Sequence, residues 1–169
     1  MTLLDQISDT HRRLLNPSGG CHNCPRKRVD FVPATLLRGP VLWLGEVPDA
    51  TAVTEQESFA GKAGQLLRRI AGEAGVPEPW SFSNTIHCRP PENAAPKPKE
   101  VQCCLSQFVL EEIRDYSIVV LVGRLPLQAL FPGARASHFR GNVAYHPDFP
   151  SQKFYAIDHP SHLPIFRLH

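Results

Sequence analysis

The chain has 169 residues, with 18 lysines and arginines against 16 aspartates and glutamates, a formal charge of +2. That length suits one domain with a sizeable core rather than two, and so mild a charge does not by itself announce a nucleic-acid partner. No apolar run approaches the length of a membrane span, so no membrane association is expected.

Residues 1–15 carry Asp5, Asp9, Arg12 and Arg13 and lack the apolar stretch of a signal peptide. A cytoplasmic, reducing location is therefore expected. The same stretch reads as a helix from Thr2 to Leu15, with Leu3, Leu4, Ile7, Leu14 and Leu15 on its apolar side. Val41 to Leu44 is a short apolar run ending at Gly45 and reads as a buried strand. Gly61 to Ala74 has helical spacing, with Leu66, Leu67, Ile70 and Ala71 inward and Gly75 as its stop. Trp80 to Ile86 is a second strand, and Lys97 to Asp115 a long helix with Val101, Cys104, Phe108 and Ile113 in phase. Ser117 to Val122 contains Ile-Val-Val-Leu-Val without alternation, the pattern of a strand buried on both faces. A short helix over Arg124 to Phe131 and strands at Asn142 to Tyr145 and Phe154 to Ile157 complete the pattern. Seventeen prolines, many of them within 90–98 and 147–164, read as rigid loops between these elements.

Strands separated by helices predict an α/β fold: one three-layer domain with a mostly parallel sheet of four to five strands and helices on both faces. Ligands of such folds bind beyond the carboxyl ends of the strands. Gly45-Glu46, Asn84 and Asp158-His159 all fall at strand ends, so they can converge on one pocket.

Four of the five cysteines have the spacing of a metal or cluster site. Cys21 and Cys24 form a C-x2-C pair, and Cys88 and Cys104, separated by fifteen residues, would close a tetrahedral set. Zinc and an iron–sulfur cluster are both compatible with four thiolates at this spacing. Disulfides are disfavoured in a reducing compartment, and buried free thiols have no need of a C-x2-C turn. Cys103 reads as a core residue or bystander.

Four segments, in order, resemble the family 4 uracil-DNA glycosylases, the iron–sulfur branch of their superfamily. They are Cys21-x2-Cys24; Gly45-Glu46-Val47-Pro48 leading to Phe59-Ala60-Gly61-Lys62-Ala63-Gly64-Gln65; Asn84-Thr85-Ile86-His87-Cys88-Arg89-Pro90-Pro91-Glu92-Asn93 with Cys104; and His159-Pro160-Ser161-His162-Leu163. The resemblance implies a 4Fe–4S cluster held by Cys21, Cys24, Cys88 and Cys104. It also implies a single glycosylase domain over residues 1–169, a monomer acting on single- or double-stranded DNA that contains uracil. The domain would be shortened at its C-terminus, where relatives carry a further helical segment.

Each matched residue also has a chemical rationale. Breaking an N-glycosidic bond builds negative charge on the departing base, which calls for a hydrogen-bond donor aimed at it. His159 matches the family residue that donates, although a lone His-Pro more often caps a turn. Phe59 would stack on the base and Asn84 would read its Watson–Crick edge, with Gly61 and Gly64 letting the backbone approach and Gly45 as a further base-binding residue; a core ring and a turn residue are the plainer alternatives. Glu46 is the carboxylate placed to polarise water or stabilise the sugar cation. Leu163 matches the wedge that replaces a flipped nucleotide, with Ser161 and Arg140 as further DNA contacts. Arg26, Lys27, Arg28, Arg89 and Arg135 are additional candidate phosphate partners, or simply solvated surface.

The chain also departs from the family pattern. Asp49-Ala50-Thr51-Ala52-Val53 stands where a glycine and acidic residues usually follow Gly-Glu-x-Pro. Asp49 is expected to put a side chain and a negative charge where backbone amides should face the base. Gln56 and Ser58 replace a glycine and a proline, and Asp158 an aromatic residue. Three readings therefore remain open from sequence: a uracil-DNA glycosylase, a DNA- or partner-binding module whose pocket Asp49 has disabled, and a glycosylase for another modified base.

Overall fold

The computed structural model describes Cys21 and residues 23–163; the helix expected over Thr2 to Leu15 lies outside them. A five-stranded sheet organises the domain, in the order β2-β1-β3-β5-β4. Strands β1 (Val41–Gly45), β2 (Trp80–Asn84), β3 (Ile118–Val122) and β5 (Phe149–Ile157) run parallel, and β4 (Ala144–His146) pairs antiparallel with β5 at one edge.

The unbroken apolar runs of β1 and β3 follow from cores on both sides of the sheet. Leu42, Leu44, Val119 and Leu121 face one core with Phe154, while Val41, Trp43, Val120 and Val122 face the other with Phe82. Between β1 and β2 come α1 (Ala50–Glu55) and α2 (Lys62–Glu73), and the latter packs Leu67 and Ala71 onto the second core. The opposite face is covered by Val109, Ile113, Leu127 and Leu130, drawn from the helices before and after β3. Helix α5 (Arg124–Leu130) and the short α6 (Ala136–Phe139) lead from β3 to the edge hairpin.

Several elements differ from the sequence pattern: α6 was not expected, β5 begins at Phe149 rather than Phe154, and two further differences have clear causes. The long helix expected over residues 97–115 is three segments in succession: α3 (Pro98–Cys104), a π-helical stretch (Leu105–Val109) and α4 (Leu110–Ile113). The amide of Leu110 bonds the carbonyl of Leu105, so the chain accommodates one extra residue per turn directly after Cys104, a device common at functional sites. Helix α1 was not expected at all. Asp49 creates it by capping: its Oδ1 accepts from the amide of Ala52 at 2.8 Å.

In the strand order β1 lies between β2 and β3, so the connections leaving β1 and β3 diverge to opposite sides. Such a switch point opens a crevice at the carboxyl ends of the strands. Glu46 leaves β1, Asn84 ends β2, Gly123 follows β3 and His159 lies just beyond β5, so four loops meet there.

Candidate active site

A cavity of about 200 Å3 occupies that crevice, and Glu46, Asp49, Phe59, Asn84, His159 and Ser161 border it. Gly45 and Asn84 are register partners across β1 and β2. A β-carbon on Gly45 would stand 2.4 Å from Cζ of Phe59 and 2.7 Å from Oδ1 of Asn84, so only glycine lets the ring and the carboxamide meet at the strand ends. The carbonyl of Gly45 accepts from both the amide and the hydroxyl of Thr85, at 2.8 Å each, which fixes the two strand ends together.

Phe59 adopts a left-handed backbone (φ 60°), a conformation costing on the order of 1 kcal/mol or more in a bulky residue. Its surroundings hold it there. Its carbonyl accepts from Nη1 of Arg68, and its ring centroid lies 5.4 Å from that of Phe82. Gly64 fits under the Phe59 carbonyl, where any β-carbon would collide with the oxygen. The replacements at 56 and 58 serve the same loop. Gln56 ends α1 in a left-handed conformation and donates to the carbonyls of Val53 and Phe31, while buried Ser58 donates to Pro33 O at 2.9 Å.

Asn84 is only 3% exposed, yet its carboxamide has no hydrogen-bond partner among the described residues and borders the cavity. Its polar atoms border the cavity, where a ligand can complete their hydrogen bonds. Opposite stands His159. Its Nδ1 lies 3.3 Å from the amide of Ser161 and 2.7 Å from that residue's hydroxyl. A backbone N–H can only donate, so Nδ1 accepts and the ring proton sits on Nε2. Burial lowers the imidazole below its ordinary value, an effect partly offset by Glu46 and reinforced by His162. The ring is therefore a neutral donor at neutral pH.

Glu46 is more committed than sequence implied. Its Oε1 accepts from the amides of Arg124 and Leu125, at 2.8 and 3.1 Å, at the N-terminus of α5. Gly123, at φ 100°, passes so close that a β-carbon there would stand 2.5 Å from the same oxygen. The second carboxylate oxygen has no hydrogen bond among the described residues.

Asp49 differs from the expectation in what its carboxylate does. One oxygen caps α1, and the other lies 2.0 Å from where a β-carbon of Gly61 would stand. The residue nevertheless borders the cavity, and its charge reaches His159. Asp158 likewise has a partner, because Nη2 of Arg140 reaches its two oxygens at 2.9 and 3.1 Å. Leu163 follows the turn Pro160–His162, its amide bonded to Pro160 O.

The cationic residues divide in a way sequence did not reveal. Arg26 is an interior residue pairing Glu100 at 3.2 Å, with side chains only 12% and 6% exposed, so it is not a phosphate contact. Arg28 stacks over Phe31 at 4.3 Å, and Arg89 donates to Asn93 Oδ1 at 3.3 Å. Val47, Pro48, Ala52, Ala63 and Asn93 also line the cavity, although sequence assigns them no site role. Asn93 has a left-handed backbone (φ 55°) within the Pro91–Asn93 turn, a conformation Asn tolerates well.

None of the five cysteines forms a disulfide. Cys24, Cys88 and Cys104 are at most 5% exposed, and a turn bonds the amide of Cys24 to the carbonyl of Cys21. Burial first, with the charges of neighbouring cysteines adding to it, pushes the Cys88 thiol up to about 11 and the Cys104 thiol up to about 12. The four thiols thus lie within electrostatic reach of one another. Among the described residues no three side chains form a closed metal-holding group. Burial, and then the charge of Cys24, raise the Cys103 thiol, so Cys103 lies near that cysteine. Below Cys88, His87 lies buried between Phe31 and Phe108, its Nε2 3.3 Å from Glu112 Oε1, with Ser83 donating to the same carboxylate at 2.6 Å.

Comparison with known proteins agrees with this geometry. Residues 35–166 match the model of the uracil DNA glycosylase superfamily. Among similar proteins are three named type-4 uracil-DNA glycosylases. That of Archaeoglobus fulgidus is 29% identical over 134 residues, 76% of this chain and 65% of the relative. That of Saccharolobus solfataricus is 30% identical over 138 residues, 78% of this chain and 60% of the relative. That of Pyrobaculum aerophilum is 34% identical over 93 residues, 53% and 47% respectively. The matched region thus spans less than two thirds of each relative's length. The family match begins before β1, runs through every strand and takes in each residue bordering the cavity, and by it the chain belongs to the uracil DNA glycosylase superfamily.

Proposed function

We propose that the protein hydrolyses the N-glycosidic bond of uracil in DNA, as a single monomeric domain, and leaves an abasic site. The observation that supports this best is that the Asn84 carboxamide, which has no hydrogen-bond partner among the described residues, a neutral imidazole N–H and an aromatic ring border one cavity of about 200 Å3. The carboxamide oxygen of Asn84 accepts from uracil N3–H while its NH2 donates to O4; cytosine presents the opposite pattern and is rejected. Phe59 stacks on the flipped base. As the C1′–N1 bond breaks, its electron pair moves into the uracil ring, and Nε2–H of His159 donates to the oxygen that gains charge. Water adds to C1′ and gives its proton to the free oxygen of Glu46, which also stabilises the cationic sugar before attack. The opposite sign of charge on the two fragments suits the two groups, a neutral donor for the base and a carboxylate for the sugar.

Cys21, Cys24, Cys88 and Cys104 would hold a 4Fe–4S cluster. Four thiols free of disulfides, three of them deeply buried, and with Cys21, Cys24 and Cys88 close enough for their charges to act on one another, are the donor set that such a cluster takes once iron displaces the thiol protons. Such a cluster would supply structure, tying the N-terminal segment to the loop after β2. Leu163 and Ser161 would meet the strand at the flipped site, and the protein would work where the cell keeps its DNA.

Excision from an oligonucleotide with one uracil, followed by alkaline cleavage of the product, tests the reading. Strand breaks at the uracil position are expected. Intact oligonucleotide after incubation with brown, iron-replete protein would overturn it.

A further inference from the structure

Beyond His159 lies a second cavity, of about 400 Å3, twice the volume of the first. Its floor is apolar, made by Leu127 of α5 and by Ala156 and Ile157 at the end of β5. Ile157 stays 38% exposed there, an apolar surface left open inside a cleft. The rim carries three guanidinium groups, Arg124, Arg135 and Arg140, against one carboxylate, Asp158. Arg140 pairs with Asp158 across an exposed contact, 65% and 48% open, of a kind that is weak and easily exchanged for another anion. The side chains of Arg124 and Arg135 have no hydrogen-bond or ion-pair partner among the described residues.

The two cavities share a wall. His159 borders both, and in the turn that follows it Ser161 faces the smaller cavity and His162 the larger. A strand that sends one base into the first cavity therefore leaves its neighbour, one step of about 3.4 Å along the stack, at the mouth of the second. An apolar floor with a cationic rim is the chemistry of a nucleotide, a flat base on carbon and a phosphate on arginine.

We propose that the second cavity is a subsite for the nucleotide adjoining the excised one. Its base lies against Leu127, Ala156 and Ile157 with Gln128 at its edge, and its phosphate is held by Arg124 and Arg135. This rests on the glycosylase reading of the first cavity and adds to it a dependence on neighbouring sequence.

The test is excision by the intact protein from oligonucleotides in which the nucleotide immediately 5′ or 3′ of uracil keeps its phosphate but loses its base to a tetrahydrofuran spacer. A fall in kcat/KM of about 10-fold on one side only is expected, the size of one lost stacking contact. In Gln128→Ala and Arg135→Ala, both exposed positions, that penalty should shrink while inhibition by free uracil stays as in the parent. An equal penalty in parent and variants, or none on either side, overturns the subsite. Should no oligonucleotide be cleaved, the glycosylase reading fails by itself, and the subsite is read instead by fluorescence. A rise in 2-aminopurine emission at the same neighbouring position, as the base leaves the stack for the aliphatic floor, supports it if lost in both variants, and a rise unchanged in the variants overturns it. Free deoxynucleoside monophosphates are the remaining arm: competition as strong as that of the oligonucleotide would show a free-nucleotide site and overturn the strand assignment.

Discussion

Oε1 of Glu46 lies 2.8 Å from the amide of Arg124, seventy-eight residues away. The carboxylate that follows β1 thus holds the start of the helix that follows β3, and one side chain carries two duties. Glu46→Gln keeps an acceptor for the cap and removes the charge. It should lower kcat by about 10²-fold or more while the melting temperature moves little. Glu46→Ala removes both, adding a loss of about 1 kcal/mol for the cap, or roughly 2–4 °C at this size. Equal melting temperatures for the two variants would show that the cap contributes nothing.

Gly45→Ala should harm the site out of proportion to its size. The new methyl would meet Cζ of Phe59 at 2.4 Å, so either the ring or the strand end must move. A displacement of about 1 Å in a positioned group costs on the order of 10²-fold in rate. Competitive inhibition by free uracil should weaken in parallel, since stacking is lost. Unaltered uracil inhibition in this variant would mean that Phe59 is not the stacking face.

The neutral state of His159 gives a signed pH dependence. Burial holds its midpoint below the ordinary 6.5, so in the window beneath 6.5 the unfolded chain binds a proton that the folded ring resists. The stability tied to the neutral ring is therefore complete above 6.5 and is lost as pH falls towards the folded midpoint. Because Glu46 pulls that midpoint upward, Glu46→Gln should lower it further. Titration of the ring by NMR reads both, and a midpoint above 6.5 in the parent would contradict the neutral donor.

Asp49 offers a clean contrast between charge and capping. Asn caps a helix as well as Asp does, so Asp49→Asn should leave excision within a few-fold of the parent. Asp49→Ala should lower stability by about 1 kcal/mol. A large gain of activity in Asp49→Asn would instead mean that the negative charge opposes the departing anion.

For the cysteines, Cys104→Ser should strip iron, abolish the brown colour and lower the melting temperature, while Cys103→Ser should keep iron near the parent stoichiometry. Colourless parent protein containing zinc in a one-to-one ratio would reverse the choice of metal.

Much of the frame was legible because it rests on local pattern. The unalternating run over 118–122 announced a strand with cores on both faces, and chain order then put Glu46, Asn84 and His159 at strand ends. What stayed hidden depends on contacts between distant residues. No local rule joins Glu46 to Arg124, or buries Arg26 against Glu100. Periodicity could not separate the π stretch from the helix around it, because one extra residue per turn leaves the apolar spacing almost intact. The cap on α1 is readable, with Asp before Ala-Thr-Ala-Val-Thr-Glu, but within the family motif Asp49 reads only as a departure.

The contact between Asp49 and Gly61 also constrains how this sequence can change. With a carboxylate oxygen 2.0 Å from where a β-carbon at 61 would stand, a side chain at 61 requires the Asp49 carboxylate to turn aside and give up its cap on α1. The same substitution at 61 should therefore cost more stability in a chain with Asp49 than in one where residue 49 is already alanine.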